Sequence, residues 1–249
     1  MIMEKIKTSV KKYWNWRSKS FGYDTDKSVS LEGRWESVLR ELVSGTSGRR
    51  ALDIGTGTGQ FAVYLARSGF DVTGIDISEE MISLARRHAM AHQLDIDFRT
   101  GDAEQPDFED NTFDVVVSRN MLWTLPRPDK AIREWRRIMK PGGTLVVSDG
   151  LWMNTTWKRF HHLAFRVFRG IFRNGAMIPV RFFCTYANIN KSLPFYEGLC
   201  FEDASRLLKT AAFNDIKSYD TSCFGENPYG AKNRTKKMAP PFFIAYARG

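Results

Sequence analysis

Residues 51–66, ALDIGTGTGQFAVYLA, decide how this chain is read: an apolar run carrying Asp53, three glycines at 55, 57 and 59, then residues repeating at helical spacing. Glycine lets the backbone turn sharply and bring N–H groups close to a ligand, and a helix N-terminus behind it adds a favourable dipole. The pattern is that of a nucleotide-binding turn. About twenty residues on, Val72-Thr73-Gly74-Ile75-Asp76 reads as a second strand, with a carboxylate at its end placed to accept ribose hydroxyl protons.

The spacing separates two cofactor classes. A dinucleotide fingerprint requires Gly-x-Gly-x-x-Gly, but position 60 is Gln60, and Asp53 stands where a dinucleotide site has no acid. Asp53-x-Gly55-x-Gly57-x-Gly59 followed by Asp76 resembles the first two motifs of class I S-adenosylmethionine-dependent methyltransferases. The resemblance implies that the glycine loop passes the methionine half of the cofactor, and that Asp76, followed by Ile77, holds the ribose.

Beyond Asp76, Ser78 is a good N-cap, Glu79 and Glu80 suit a helix start, and Met81, Leu84, Ala85 and Ala89 repeat at helical spacing. His88 and His92 near its end read as surface residues. Residues 95–100 alternate as a third strand before Gly101-Asp102-Ala103. By the resemblance, Asp102 meets the adenine amino group and Ala103 packs beside the ring. Residues 113–117, FDVVV, form a run typical of a strand buried on both faces. It leads into Ser118-Arg119-Asn120-Met121-Leu122-Trp123, where the resemblance places the transferable methyl; Arg119 is assigned to the cofactor and Trp123 to the substrate.

Enzymes of the resembled fold that methylate amino groups of nucleic-acid bases carry Asn/Asp-Pro-Pro-aromatic at this place, and this chain does not. The following block is a proline-flanked turn, a helix over 129–140 (DKAIREWRRIMK), Pro141-Gly142-Gly143 and a strand over 144–148. It resembles the ubiquinone/menaquinone-biosynthesis-like small-molecule methyltransferases. The resemblance covers about residues 51–149.

Past Gly150 the next helix and strand appear only at 201–213 and 215–221, with a last strand at 241–248, so that 151–200 reads as an insertion. Ligands of open α/β sheets lie beyond the carboxyl ends of the strands, and an insertion there is placed to be a lid or a substrate region. Within it, residues 155–173 have helical periodicity: Lys158, Arg159, Arg166, Arg169 and Arg173 fall within an arc of about 100°, opposite Trp157, Phe160, His161 and Phe165. Three uses stay open: a helix packed over the core with a solvated cationic face, a roof over an aromatic substrate, or a peripheral membrane contact.

At the other end, residues 13–24 carry Tyr13, Trp14, Trp16, Arg17, Phe21 and Tyr23. This segment resembles the N-terminal aromatic and arginine motif of small-molecule methyltransferases, which implies that Arg17 lies near the cofactor carboxylate and Tyr23 at the acceptor. The same aromatics equally serve to staple a helix to the domain edge.

A chain of 249 residues with 43% hydrophobic and 26% charged residues suits one generous α/β domain. No apolar run is long enough to span a bilayer, and residues 1–20 are too charged for a signal peptide, so a cytoplasmic protein is expected. Three cysteines without Cys-x-x-Cys spacing indicate neither a disulfide framework nor a metal site. The net charge of +9 is compatible with a polyanionic partner or with a merely soluble basic surface, as is the basic run over 231–237.

The expected fold is α/β: a Rossmann-like seven-stranded sheet, mostly parallel with the last strand antiparallel, helices on both faces and a mainly helical insertion after strand five. Its expected parts are an N-terminal helical cap (1–45), a cofactor core (46–150), the inserted substrate region (151–200) and the completion of the sheet (201–249). The expected function is methyl transfer from S-adenosylmethionine to a small molecule, leaving S-adenosylhomocysteine. Positioning supplies most of the acceleration of such a displacement, and a base helps only when the acceptor must lose a proton. His161 and Tyr23 are the candidates for that role, with Tyr186 and Tyr196 as further substrate contacts. An RNA or protein methyltransferase, a metalloid methyltransferase using Cys184 and Cys200, and a non-catalytic cofactor-fold module are the alternatives. Oligomeric state is not legible.

Overall fold

The computed structural model describes residues 2–21, 29–151, 181–182, 185–186, 189–224 and 242–249. In chain order the helices are α1 (Ile2–Arg17), α2 (Val29–Val43), α3 (Gln60–Arg67), α4 (Glu79–Ala91), α5 (Pro128–Ile138) and α6 (Phe201–Thr210). The strands are β1 (Arg50–Ile54), β2 (Asp71–Asp76), β3 (Asp97–Thr100), β4 (Phe113–Arg119), β5 (Met139–Gly150), β6 (Asn214–Ser218) and β7 (Phe242–Arg248). They form one sheet in the order β3-β2-β1-β4-β5-β7-β6. Strands β1 to β5 pair in parallel, whereas β7 runs antiparallel between β5 and β6. The expected seven-stranded sheet, mostly parallel with its last strand antiparallel, is the observed one, whereas most of the insertion expected after strand five lies outside the described residues.

Side chains alternate across a strand, and the apolar runs divide accordingly. Leu52, Ile54, Val116, Leu145 and Val147 pack on one face with Ile132 and Trp135 of α5 and Leu208 of α6. Ala51, Val115, Val117 and Val146 face the other way, towards Trp35 of α2, Phe61 and Leu65 of α3, and Ile82 of α4. Two cores on one sheet explain why its central strands read as unbroken hydrophobic segments.

Some boundaries differ from the sequence reading. The helix expected to reach Lys140 ends at Ile138, and β5 begins at Met139. A residue preceding proline is driven out of the α region, so Lys140 before Pro141 cannot continue the helix. The 139–143 segment pairs irregularly, with the register passing from Phe113↔Met139 to Val115↔Thr144, and Gly142 donates its N–H to the Gly249 carbonyl at 2.7 Å. Strand β3 starts at Asp97, α6 stops at Thr210, and β6 spans Asn214–Ser218.

The strand order reverses between β1 and β4, which opens a crevice at their carboxyl ends. Helix α1 lies across that end of the sheet. Its Asn15 accepts a hydrogen bond from the Ser78 hydroxyl at 2.6 Å, and its Lys11 pairs with Glu79 at the start of α4. The chain that leaves β5 at Gly150 is back beside it at Leu199, whose N–H donates to the Gly150 carbonyl at 3.2 Å. Tyr23, His161, His162, Cys184, the stretch 155–173 expected to be helical and the basic run 231–237 lie outside the described residues. Among the described residues no helix is long and apolar enough to cross a membrane.

Candidate functional site

The crevice is a cleft of about 1180 Å³, including its open mouth. Its floor comes from four strand ends: Gly55 to Thr58 after β1, Asp76 and Ile77 after β2, Gly101 to Ala103 after β3, and Arg119 to Met121 after β4. Its roof comes from Lys7, Val10 and Trp14 of α1 together with Phe21, and its far side from Leu125 and Pro126.

The glycine loop is held by its backbone and by two carboxylates. Gly55 and Thr56 donate N–H bonds to the Ile75 carbonyl at 2.8 and 2.9 Å, stitching the loop to β2. Asp53 is buried behind the loop, where it accepts the Thr56 hydroxyl at 2.6 Å and the Ala62 N–H at 3.1 Å. It ties the start of α3 to the end of β1 and does not itself line the cleft. Two of the three glycines have separate reasons. Gly57 has φ +56°, and a Cβ there would meet no atom closer than the Gly55 carbonyl at 4.0 Å, so the position faces open space for a ligand. Gly59 has φ +80° and is pressed against Ala85 and Phe98, both 3.0 Å from where its Cβ would lie, so it serves packing behind the loop.

Asp76 accepts the Gly57 N–H at 3.0 Å and the Ser78 N–H at 2.9 Å, and its two oxygens have further lone pairs available towards the cleft. Burial pushes the carboxyls of both Asp53 and Asp76 up to about 6, against the hydrogen bonds each accepts. For a carboxylate this sign means that the folded state prefers the neutral form: the stabilising contribution is present at acid pH and lost as pH rises through about 6. A ribose needs the opposite state, since its hydroxyls donate best to the ionised group. We therefore expect S-adenosylhomocysteine affinity to be flat from pH 8 to 6.5 and to fall by up to about tenfold per unit below pH 6. Titration calorimetry across that range, with circular dichroism as the folding control, checks it; a pH-independent dissociation constant would show that the Asp76 carboxyl stays ionised throughout.

Arg119 lies over the rings of Phe61 at 4.8 Å and Trp35 at 5.4 Å, and donates to Gln60 Oε1 at 2.7 Å. Stacked in this way its guanidinium stays beside the glycine loop as a fixed cation for a carboxylate. Asp102 accepts the Glu104 N–H at 2.9 Å and Lys7 Nζ at 2.6 Å. Of the residues expected at the cofactor, Gly55, Gly57, Asp76, Ile77, Asp102, Ala103 and Arg119 meet in the cleft, whereas Asp53 and Gly59 support it from behind. Arg17 is turned away, bonded to Ser20 and lying on the Phe21 ring at 4.6 Å, outside the cleft lining.

The expected substrate residues Trp123, Tyr186 and Tyr196 are not on the cleft surface. Trp123 and Tyr186 are buried, their rings 5.3 Å apart; Tyr186 meets Phe182 at 4.7 Å, Tyr13 at 5.3 Å and Tyr196 at 6.0 Å. This aromatic core fastens α1 to the residues returning from the excursion after β5, so these side chains brace the roof rather than face an acceptor. Cys200 Sγ donates to Asp203 at the start of α6. Lys7 and Leu125 are cleft residues that the motifs did not point to, and Trp14, Gln60, Asn120 and Met121 line the cleft from within the motif segments although no role was assigned to them. For Lys7 a signal existed: it shares a helical face with the apolar Val10 and Trp14, an unusual place for a lysine.

The donor set, glycine cradle and acidic residue of this cleft fit an adenosine cofactor with a carboxylate tail. The family model described as methyltransferase domain matches residues 52–147. The demethylmenaquinone methyltransferase of Renibacterium salmoninarum is 32% identical over 177 residues, covering 70% of this chain and 69% of that protein. The ubiquinone biosynthesis O-methyltransferase of Alkalilimnicola ehrlichii is 37% identical over 111 residues, 44% of this chain and 45% of that protein. Phosphoethanolamine N-methyltransferase 2 of Haemonchus contortus, solved in complex with S-adenosyl-L-methionine, shares the fold with a TM-score of 0.58 at 20% identity, over 86% of this chain and 52% of that one. The chain belongs to the class I S-adenosylmethionine-dependent methyltransferases.

Proposed function

We propose that the protein transfers a methyl group from S-adenosylmethionine to a small apolar, ring-bearing acceptor. The observation that carries this reading is the division of one cleft: a polar floor of backbone N–H groups, Asp76 and Arg119 lies under an apolar roof of Val10, Trp14 and Phe21, with Met121 at the floor's edge and Leu125 on the far side adding apolar surface. The methyltransferases of quinone biosynthesis among its relatives point to the same acceptor class.

When bound, the cofactor supplies a methyl group already activated on a positively charged sulfur. The protein's task is then mainly to position. Asp76 accepts hydrogen bonds from the ribose hydroxyls, Gly57 leaves room for close approach, and Arg119 takes the carboxylate. Trp14, Phe21 and Met121 exclude water and present a flat apolar surface to an acceptor entering under α1. Effective molarities from such positioning supply about 7–11 kcal/mol of barrier lowering, which is why an acceptor that is already nucleophilic needs no base. His161 and Tyr23 keep their proposed place as the groups that would remove a proton when one must leave.

The test is to incubate the purified protein with S-adenosylmethionine and measure S-adenosylhomocysteine formed with reduced naphthoquinones, catechols and aliphatic amines in parallel. Turnover with the ring-bearing hydroxylated compounds supports the proposal. Methyl incorporation only into RNA or protein, or none despite S-adenosylmethionine binding, overturns it in favour of a macromolecular substrate or a silent binding module.

A further inference from the structure

Two cations and two carboxylates from three separate parts of the chain meet at one end of the cleft. Lys7 of α1 has a side chain only 10% exposed, and its Nζ stands 2.6 Å from Asp102 Oδ2 and 2.8 Å from Glu104 Oε2. The Glu104 carboxylate is wholly buried and also accepts the Arg127 N–H at 2.6 Å and Arg127 Nε at 3.2 Å. Each part also lines the cleft: α1 with Lys7, Val10 and Trp14, the chain after β3 with Gly101, Asp102 and Ala103, and the segment before α5 with Leu125 and Pro126.

A buried carboxylate is tolerated only when paired, and removing one partner leaves the other uncompensated. Glu104 has no solvent to turn to, so α1 has to sit with Lys7 in this place for the cluster to be complete. Lys7 also restrains the Asp102 carboxylate, whose other oxygen is held by the Glu104 N–H.

We infer that Lys7 is a positioning residue for the cofactor: it seats α1 as the roof of the cleft and fixes Asp102, so that cofactor occupancy and roof seating form one coupled equilibrium. The inference rests on the cleft being the S-adenosylmethionine site. Ligand on the floor meets Val10 and Trp14 above it, which stabilises the seated helix, and the seated helix in turn retains the ligand. By reciprocity each favours the other to the same degree.

Amide hydrogen exchange of residues 2–17, with and without S-adenosylhomocysteine, tests the coupling without any variant. Slower exchange in the presence of ligand is expected, reaching into α1 although most of its backbone does not touch the cleft. Lys7→Met is expected to bind S-adenosylhomocysteine about tenfold more weakly, corresponding to a roof seated in about one molecule in ten, and to exchange residues 2–17 faster than wild type when no ligand is present. Lys7→Arg restores both within about threefold, because it keeps the charge and the donors. Lys11→Met, which removes the exposed pair with Glu79, changes affinity by less than about twofold, as surface pairs do. Binding of S-adenosylhomocysteine with no change of exchange in residues 2–17, or with equal affinity for wild type and Lys7→Met, overturns the inference. Absence of binding in the wild type overturns the cofactor reading instead, so the two failures are distinguishable.

Discussion

Replacing Asp76 with alanine is expected to weaken S-adenosylhomocysteine binding by about two orders of magnitude while leaving the fold intact. The side chain sits at the end of β2, and each of its oxygens accepts one backbone N–H, from Gly57 and Ser78. The remaining lone pairs are what a ribose would use. Hydrogen bonds to a charged group contribute about 1.5–3 kcal/mol each, so losing two removes roughly 3 kcal/mol or more, about 100-fold in Kd. A second effect adds to the first: without the carboxylate the Gly57 N–H loses its partner, and the cradle of the glycine loop is less well held. Asp76→Asn keeps one acceptor oxygen and loses the charge, and should fall between, about tenfold weaker than wild type. Titration calorimetry at pH 7.5 reads both values. A change of less than threefold for Asp76→Ala would show that the ribose is held elsewhere.

The largest expected effect on stability belongs to Trp135→Ala. Trp135 lies in α5, fully buried against the sheet face that holds Leu52, Val116 and Leu145, and its Nε1–H donates to the Ala103 carbonyl at 2.9 Å. Truncating a buried tryptophan costs about 3–5 kcal/mol, from lost transfer energy and the cavity left behind. For a chain of this size that is a fall in Tm of roughly 10 °C. The bond to Ala103 links this core position to the floor of the cleft. Trp135→Phe fills most of the volume but orphans that carbonyl, and should cost roughly 1–2 kcal/mol while still weakening S-adenosylhomocysteine binding measurably. Urea unfolding and calorimetry on the two variants separate these effects. A Trp135→Ala protein within 1 kcal/mol of wild type would mean that α5 is not a supporting wall of the core.

Lys7 and Asp76 mark the difference between what was legible beforehand and what was not. Asp76 was readable because strand, glycine loop and acid follow one another at fixed distances along the chain, and local geometry alone places them together. Lys7 meets Asp102 across 95 positions of sequence, and nothing local announces that α1 crosses the strand ends. The aromatic residues failed in the other direction. Residue type and neighbourhood suit Trp123, Tyr186 and Tyr196 to an acceptor, yet Tyr186 packs on Tyr13 and Phe182, and Trp123 and Tyr196 pack on Tyr186. An aromatic side chain is equally suited to a core and to a ligand wall, and only the packing tells which.

The order and spacing of its own residues determine that this chain folds as a parallel α/β sheet with an adenosine-binding turn. Continuous apolar runs define strands buried on both faces, the proline before Gly142 ends α5, and positive-φ glycines shape the loop at 55–59; these are short-range steric and solvation effects. What belongs to the cleft and what belongs behind it was settled by tertiary structure alone. Asp53 turns inward to Thr56 and Ala62, Arg17 bonds to Ser20 outside the cleft lining, and a lysine from the first helix completes a buried charge cluster at the cleft's end. Direction and burial of a side chain depend on which distant elements pack upon it, and that is a property of the assembled fold.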